Sequence, residues 1–486
     1  MVTYGGDEVN ALVIDVGSTW TRAGYAGEDT PKAIFPTSYG VIESESAEVE
    51  TQSTADQPKP EDPDTEMSDA RTPNGDAAAK AEDAATPASV PKKQRKYYIG
   101  DGEANTWRQN MEIRNPMKDG LGKLFLQSLE DWDGYEEIWK AAFNNRLGID
   151  PTEHPLLCTE PAWNPSEKRE KLLELAFEQF NFPAFYLAKD AVMTAFSVGR
   201  ATALVLDTGG SITSAVPVYD GLILKRGILR QPIGGNVVTN QIMEELKTMF
   251  DYTITPQYLV ADKETVDASQ PPKFRSRDRP NTTDSFHKYQ QDRVVHEYKE
   301  TICQVAESPY DEDLLAARPQ KPFEFSDGFN CSAGVERFKP TELLFQPRSY
   351  LTKVSDNGLI HPGTEGSFGS TFTQQQIDAS LGIHQLIFNS ICSCDIDLRP
   401  LLFNNVVVTG GNSLFPGFVE RLNYELPGLA PGSKIKIHAS GTSVDRRCSS
   451  WLGGSILASL GTFHQLWISK AEYEEHGASI VESKCL

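Results

Sequence analysis

The stretch VLDTGGSIT, residues 205–213, has a counterpart near the start of the chain, VIDVGSTWT, residues 13–21. In each, apolar residues are followed by aspartate, one further residue, glycine, and serine or threonine. Buried strands that end in tight turns have this pattern. Two such units about 190 residues apart predict two related halves whose loops close on one phosphorylated ligand.

The residue types in these loops suit phosphate binding. Gly17 permits a tight turn and close backbone approach, so that the following amides and the Ser18 hydroxyl can point at phosphate oxygens. Asp15 can orient water around Mg²⁺, which usually keeps several waters, and Arg22 can supply positive charge. We expect Asp207 and the glycines after it to do the same from the other side.

A third glycine turn, Thr409-Gly-Gly-Asn-Ser, opens a predicted helix, and helix N-termini suit anions. A single Asp-x-Gly turn is more often just a hairpin. Three glycine turns, each placed after an apolar strand, are a much stronger indication of a phosphate site.

The remaining pattern predicts an α/β protein. Apolar residues recur at helical spacing over 168–180 and 236–250, and predicted strands alternate with helices. The length of 486 residues predicts two to four domains.

A net charge of −22 argues against chain-wide nucleic-acid affinity, and no apolar run is long enough to span a membrane. Seven scattered cysteines indicate reduced thiols, and Cys392 with Cys394 lacks a second pair at zinc spacing.

Two segments differ in amino-acid composition from the rest of the chain. Residues 43–96 are rich in Pro, Ser, Thr, Ala and acidic residues and lack aromatics before Tyr97, which predicts a disordered, acidic insertion. We interpret it as a solvated linker, with attraction of histones as the alternative. Its last residues, PKKQRK, resemble a nuclear localisation signal, a pattern that is also common by chance. Residues 351–376, rich in Gly, Ser and Thr, are the second predicted insertion.

Three longer stretches resemble actin and its relatives: residues 13–40, 153–200 and 449–486. The similarity covers nearly everything outside the two insertions. It implies an actin-like fold, with two related α/β halves, or four subdomains, around a cleft that holds ATP and a divalent ion, Mg²⁺ or Ca²⁺. The resemblance places subdomain 1 at 1–36, 115–197 and 449–486, subdomain 2 at 37–114, subdomain 3 at 198–233 and 352–448, and subdomain 4 at 234–351.

The same resemblance implies which residues bind the nucleotide. Arg22 and Arg447 stand where actin has lysine, and Asp15 and Asp207 would hold the metal through water. The implied nucleotide-binding residues are Asp15, Gly17, Ser18, Thr19, Arg22, Asp207, Gly209, Gly210, Ser211, Ile212, Gly234, Lys299, Glu300, Gly410, Gly411, Asn412 and Arg447.

Three further positions depart from the actin pattern. Gly210 replaces the second carboxylate of actin's second loop, and Asp190 and Ser214 replace the glutamine and histidine that position the hydrolytic water. Because γ-phosphate hydrolysis depends on holding that water in line, we expect slow or absent turnover and no catalytic residues. A slow ATPase switch that regulates partner binding is the alternative.

Further details resemble the nuclear branch, the fourth class of actin-related proteins. That branch implies a nuclear subunit of chromatin remodelling and histone acetyltransferase complexes, bound to nuclear actin and to a long helix of a scaffold ATPase or acetyltransferase subunit. The acidic insertion replaces actin's filament-contact loop, so we expect no self-polymerisation; a filament-forming cytoskeletal relative is the alternative. The helix would lie in a groove lined by Phe196, Gly199, Ala201, Gly221, Leu452, Ile456, Leu457, Leu460 and Leu466. The alternative is that several of these, Ile456 and Leu457 among them, are core side chains of a C-terminal helix.

Overall fold

A computed structural model describes residues 10–44, 94–119, 127–129, 131–356 and 374–486. The chain divides into two units, residues 1–41 together with 97–486, and residues 42–96. None of the described helices is both long enough and apolar enough to cross a membrane. All seven cysteines are unpaired.

The described strands are β1 Leu12–Val16, β2 Trp20–Tyr25, β3 Ala33–Pro36, β4 Tyr39–Ser44, β5 Gln94–Ile99, β6 Glu112–Arg114, β7 Met117–Asp119, β8 Gln127–Leu129, β9 Leu156–Glu160, β10 Ala184–Lys189, β11 Ala203–Thr208, β12 Thr213–Tyr219, β13 Leu222–Ile223, β14 Leu229–Gln231, β15 Val260–Glu264, β16 Lys273–Ser276, β17 Lys321–Glu324, β18 Asn330–Ala333, β19 Val406–Thr409, β20 Ile437–Ala439 and β21 Ile468–Ser469.

The described helices are α1 Asp101–Ala104, α2 Trp132–Lys140, α3 Ser166–Glu174, α4 Asp190–Ser197, α5 Gly235–Phe250, α6 Asp284–Thr301, α7 Glu312–Leu315, α8 Lys339–Glu342, α9 Pro347–Asp356, α10 Gln374–Ala379, α11 Ile383–Cys392, α12 Arg399–Phe403, α13 Phe418–Leu429, α14 Ser443–Ala458, α15 Lys470–His476 and α16 Ile480–Lys484. Both helices predicted from periodicity are confirmed, as α3 with its π-helical continuation Leu175–Gln179 and as α5.

Two six-stranded sheets repeat one topology. In the first, β3, β2 and β1 are antiparallel neighbours, and β9 and β10 continue from β1 in parallel. In the second, β12 and β11 form the hairpin, and β19 and β20 continue from β11 in parallel. The α/β class and the two related halves are therefore confirmed, whereas the residue boundaries of four subdomains stay a prediction.

Two helices, α4 and α14, lie between the sheets. On one side Met193 and Trp451 pack with Val13 and Leu157 of the first sheet, and on the other the alanines of α4 pack on the second sheet. The backbones approach so closely that a Cβ on Gly453 would lie 1.8 Å from the Met193 carbonyl oxygen. Only glycine fits this crossing.

The ends of both predicted insertions lie in strands or helices, and for residues 43–44 and 94–96 this corrects the prediction of disorder. β4 runs to Ser44 and β5 begins at Gln94, and within that unit Arg95 Nε lies 3.1 Å from Glu43 Oε1. α9 extends to Asp356, with Leu351 buried in the core, and α10 begins at Gln374. The predictions for residues 45–93 and 357–373 lie outside the described residues.

The crossing of α4 and α14 generates a stability prediction. We expect Gly453→Ala to lower the free energy of unfolding by about 3 kcal/mol, because the new methyl group would overlap backbone that cannot move independently. Gly461→Ala is the matched control, since a Cβ there meets nothing within 4 Å. Urea denaturation of both variants measures the difference, and equal midpoints would contradict the steric argument.

Candidate functional site

The three glycine turns line one cavity of about 2610 Å³ between the two sheets. Of the residues implied to bind nucleotide, all but Gly234 form its wall. Gly235 and Asn236 take that place in the lining. Gly234 stands behind them, where a Cβ would lie 2.6 Å from the Gly210 carbonyl oxygen.

The first turn is held by β2 and by two residues outside the β1–β2 hairpin, Thr37 and Asn115. The Gly17 amide donates to the Trp20 carbonyl at 3.0 Å, and Thr37 Oγ1 donates to the Gly17 carbonyl at 2.7 Å. Asn115 Nδ2 donates to the Ser18 carbonyl at 2.8 Å. These bonds occupy the Gly17 and Ser18 carbonyl groups of the turn.

The second turn is held in the same way by its neighbours. The Gly209 amide donates to the Ile212 carbonyl at 3.0 Å, which closes the turn. The Gly209 carbonyl accepts from the Gly235 amide at 3.0 Å and from Asn412 Nδ2 at 2.8 Å. Asn412, predicted to contact nucleotide, therefore also fixes the second turn.

Glycines lie where the turns approach each other and the neighbouring backbone most closely. A Cβ on Gly210 would lie 2.0 Å from Thr19 Oγ1, so the two turns are in direct contact. Gly410 has a φ of 91°, and a Cβ there would lie 2.3 Å from the Thr208 carbonyl oxygen. The substitution of glycine for actin's second carboxylate thus accompanies a tight approach of the turns.

The facing turns present free backbone donors. Among the described residues, none accepts a hydrogen bond from the amides of Ser18, Thr19, Gly210 or Ser211. Successive amides with no internal partner form an anion-binding concavity. The arrangement therefore suits a phosphate chain held from both sides.

Three carboxylates lie beneath these amides. Asp15 is engaged on both oxygens, by Arg22 Nη1 at 2.9 Å and Thr159 Oγ1 at 2.6 Å. Burial and the nearby Asp15 raise the pKa of Asp207 to about 6. Burial and Asp207 raise the pKa of Asp190 well above its usual value. The site thus holds more negative charge than its own cations balance.

A divalent cation fits this carboxylate set. No described residue hydrogen-bonds to the Asp207 carboxylate, which leaves its oxygens free to accept from metal-bound water. Within the described ranges no group of three or more His, Cys, Asp or Glu side chains has the geometry of a direct metal site. The donors therefore suit Mg²⁺ or Ca²⁺ held through water rather than in an all-protein cage.

The far end of the cavity carries a charged cluster on α6 and α14. Lys299 Nζ donates to the Gly235 carbonyl and to Thr239 Oγ1, both at 3.0 Å, and burial lowers its pKa to about 8. Arg447 Nη2 lies 2.7 Å from Glu300 Oε1, and His296 Nε2 lies 3.4 Å from the same oxygen. Burial and the adjacent Lys299 lower the pKa of His296 to about 4.

Asp190 and Ser214, which stand where actin has its water-positioning glutamine and histidine, both line the cavity. Asp190 is the first residue of α4, and its carboxylate accepts from the Ala191 amide at 2.6 Å. Ser214 is buried on β12 opposite Asp207. Next to them Trp163 enters the cavity wall, with the Arg230 guanidinium 4.8 Å from its ring centre.

The residues of the predicted partner groove lie at the C-terminal ends of α4 and α14 and on nearby turns. The Gly221 amide donates to the Ala201 carbonyl at 2.8 Å, which joins two of these turns. Ile456, Leu460 and Leu466 are 36%, 40% and 46% exposed. Leu452 and Leu457 pack partly against the core beneath, so the alternative of a core role applies to them and not to Ile456.

Several site residues were missed by sequence reasoning. Thr159 and Asn115 support the first turn from other elements, and Asn236 follows Gly235 in the cavity wall. His296 precedes Lys299 by about one helical turn, so the two side chains lie on the same face of α6. This spacing from a predicted site residue could have identified His296 as part of the site. Asn115 lies 97 residues from its partner and carries no such signal.

Comparison with known proteins agrees with this architecture. The family model described as Actin matches residues 6–486, and the chain therefore belongs to the actin family. It is 38% identical over 99% of both chains to "Actin-related protein 4" of Mycosarcoma maydis. It is 39% identical to the protein of that name from Oryza sativa subsp. indica and 38% identical to that from Arabidopsis thaliana, over 99% of this chain and 100% of each relative. The resemblance to the fourth class is confirmed.

The raised pKa of Asp207 generates a pH prediction. Because its folded pKa of about 6 exceeds the usual 3.8, ionisation of this residue opposes folding above pH 6, and the penalty disappears below about pH 4. In protein stripped of ligand and metal, we expect Asp207→Asn to raise the free energy of unfolding by about 2 kcal/mol at pH 7.5. The gain should vanish at pH 4. Urea unfolding at both pH values tests this, and a pH-independent gain would contradict it.

Proposed function

We propose that the chain holds ATP with a divalent cation, Mg²⁺ or Ca²⁺, as a structural ligand. The observation that carries this proposal is the pair of facing glycine turns, whose free amides lie above Asp15 and Asp207. An anion that binds only the native state stabilises it by mass action, so a nucleotide need not be consumed to be useful.

Each part of the cavity has a role in this proposal. The amides of both turns bind the phosphates, and the hydroxyls of Ser18 and Thr19 add donors. Asp15 and Asp207 orient water around the cation, which supplies the charge that lets phosphates lie beside carboxylates. Lys299, Glu300 and Arg447 surround the sugar and base.

Hydrolysis should be slow or absent. An ionised Asp190 would repel the terminal phosphate. A protonated Asp190 could not accept a proton from the attacking water, so it could not activate that water. Ser214 has no imidazole to complete the positioning. Since phosphoryl transfer depends on an aligned nucleophile, both replacements lower the rate. Hydrolysis that switches partner affinity is the competing function.

We further propose that the chain is a non-filamentous nuclear subunit of chromatin remodelling and histone acetyltransferase complexes. Its resemblance to the fourth class of actin-related proteins supports this, together with the apolar side chains exposed at the ends of α4 and α14. A long amphipathic helix of a scaffold subunit would bind there, beside nuclear actin. Histone engagement through the acidic insertion is an additional hypothesis, which deletion of residues 43–96 tests.

The nucleotide extracted from purified protein distinguishes the two functions. We expect ATP, retained over hours without phosphate release. The double variant Asp190→Gln/Ser214→His should hydrolyse ATP at least about tenfold faster, because it restores both water-positioning side chains. Chromatography of the extract and phosphate release measure these outcomes. ADP in the unmodified protein would favour the switch, and no nucleotide at all would contradict the proposal.

The groove is tested by a charge placed among its apolar side chains. We expect Leu460→Asp to weaken capture of a scaffold-type amphipathic helix at least about tenfold, because the helix would bury an unpaired carboxylate. Leu314→Asp is the matched control, since Leu314 is 69% exposed on α7, away from the groove. Pull-down with the helix and thermal unfolding separate lost binding from lost stability. Equal effects of both changes would contradict the assignment.

A further inference from the structure

Strand β20 lies at the end of the second sheet and pairs, among the described strands, with β19 alone. The Lys436 carbonyl accepts from the Val406 amide, and the Lys436 amide donates to the Phe403 carbonyl, both at 3.0 Å. Both backbone groups of Lys436 therefore point into the sheet. Because successive residues of a strand direct these groups to opposite sides, those of Ile437 and Ala439 point outward, along a free edge.

The side chains along this edge divide between two faces. Ile435, Ile437 and Ala439 pack partly buried against the core of the second half. Lys434 and Lys436 alternate with them and are exposed, so they project from the opposite face. The edge thus combines unpaired backbone groups with a row of positive charge.

Arg200 adds a third positive charge to the same face. His438 of β20 lies opposite Val407 of β19, which packs with the alanines of α4, and Arg200 follows that helix three residues after its end. Burial and the nearby Arg200 lower the pKa of His438, which places the guanidinium close to β20.

The three cations of this face are exposed and lack counter-charges. No described residue forms an ion pair with Arg200, Lys434 or Lys436, and each side chain is exposed. We call these three side chains, together with the outward backbone of Ile437 and Ala439, the basic edge.

We propose that the basic edge binds an extended acidic segment of a partner protein, which adds to the second sheet as a further strand beside β20. In strand addition, main-chain hydrogen bonds supply affinity and alternate side chains supply specificity. Acidic side chains at every second position of the segment would face the three cations. None of the residues of the basic edge lines the nucleotide cavity, so the inference is independent of the proposed nucleotide site.

Charge and backbone chemistry together identify the occupant. A second copy of the chain would bring its own lysines against these, and like charges directly opposite destabilise strand pairing. DNA would be attracted by the lysines, but it has no peptide groups to pair with a strand edge, and the chain's net charge of −22 repels it. Lysines alone also protect edge strands from aggregation. Arg200 lies on a different element and adds nothing to that protection, whereas it does extend a binding surface for carboxylates.

Charge reversal tests the electrostatic part in the full-length protein. The probe is a fluorescent peptide of about ten residues in which Glu and Val alternate, so that all glutamates lie on one face of a strand. We expect Lys434→Glu/Lys436→Glu to weaken its binding at least about tenfold in an anisotropy titration. Lys247→Glu/Lys273→Glu is the matched control, because it makes the same change of net charge at two exposed lysines on α5 and β16. Thermal unfolding of both variants verifies that they remain folded.

N-methylated peptides test the backbone part. Methyl groups on the valine amides, or on the glutamate amides, block one edge of the peptide strand and leave the other intact. We expect one of the two patterns to abolish binding and the other to retain it. The amides of Ile437 and Ala439 should also gain protection from hydrogen exchange when the unmethylated peptide is bound.

Four outcomes would overturn the basic edge as a strand-binding site. These are no binding of the peptide, equal weakening by the control variant, equal effects of the two methylation patterns, and equal binding of a DNA duplex at this surface. The nucleotide extracted from the same preparations is measured separately. Failure of the basic edge therefore leaves the proposed function standing.

Discussion

The crossing of α4 and α14 at Gly453 is the constraint on which the rest of the structure depends. Because no side chain separates the two backbones there, the helices can lie together between the sheets and contact both. The strand ends of the two sheets then face each other across one cavity. Trp451 fixes the arrangement by donating its indole N–H to the Val13 carbonyl of β1 at 3.0 Å. A wider crossing would move the glycine turns apart and leave their amides without a shared ligand.

The chemistry of the cavity follows from that approach. Burial and the neighbouring carboxylates raise the pKa values of Asp207 on β11 and Asp190 on α4, so ionising both without a cation is electrostatically unfavourable. A bound cation would offset the charge of the carboxylates, and a bound anion would accept hydrogen bonds from the free amides. A site built in this way has a reason to retain its ligand that is independent of catalysis.

The sequence revealed those features that lie within one strand and its turn. Local sequence patterns predicted the Asp-x-Gly turns, the alternation of strands and helices, and the helices at 168–180 and 236–250. The predicted nucleotide-binding residues line the cavity, except that Gly235 lies in its wall in place of Gly234. Contacts between distant segments were not predictable. Trp107 and Thr282 lie 175 residues apart, and nothing in either neighbourhood marks the other as a partner. The exposure of Ile456 beside the half-buried Leu457 likewise depends on how α14 is rotated against the core, which helical spacing alone left undecided.

The helix α4 has one further consequence, because its two ends lie in different sites. Asp190 at its start lines the cavity, and Phe196 near its end belongs to the predicted partner groove. Eight residues at 1.5 Å rise make a rod of about 12 Å. α14 runs the same course, from Arg447 in the cavity to Leu457 at the groove. Any coupling between ligand binding in the cavity and partner binding in the groove is reciprocal: each would change the affinity of the other by the same factor.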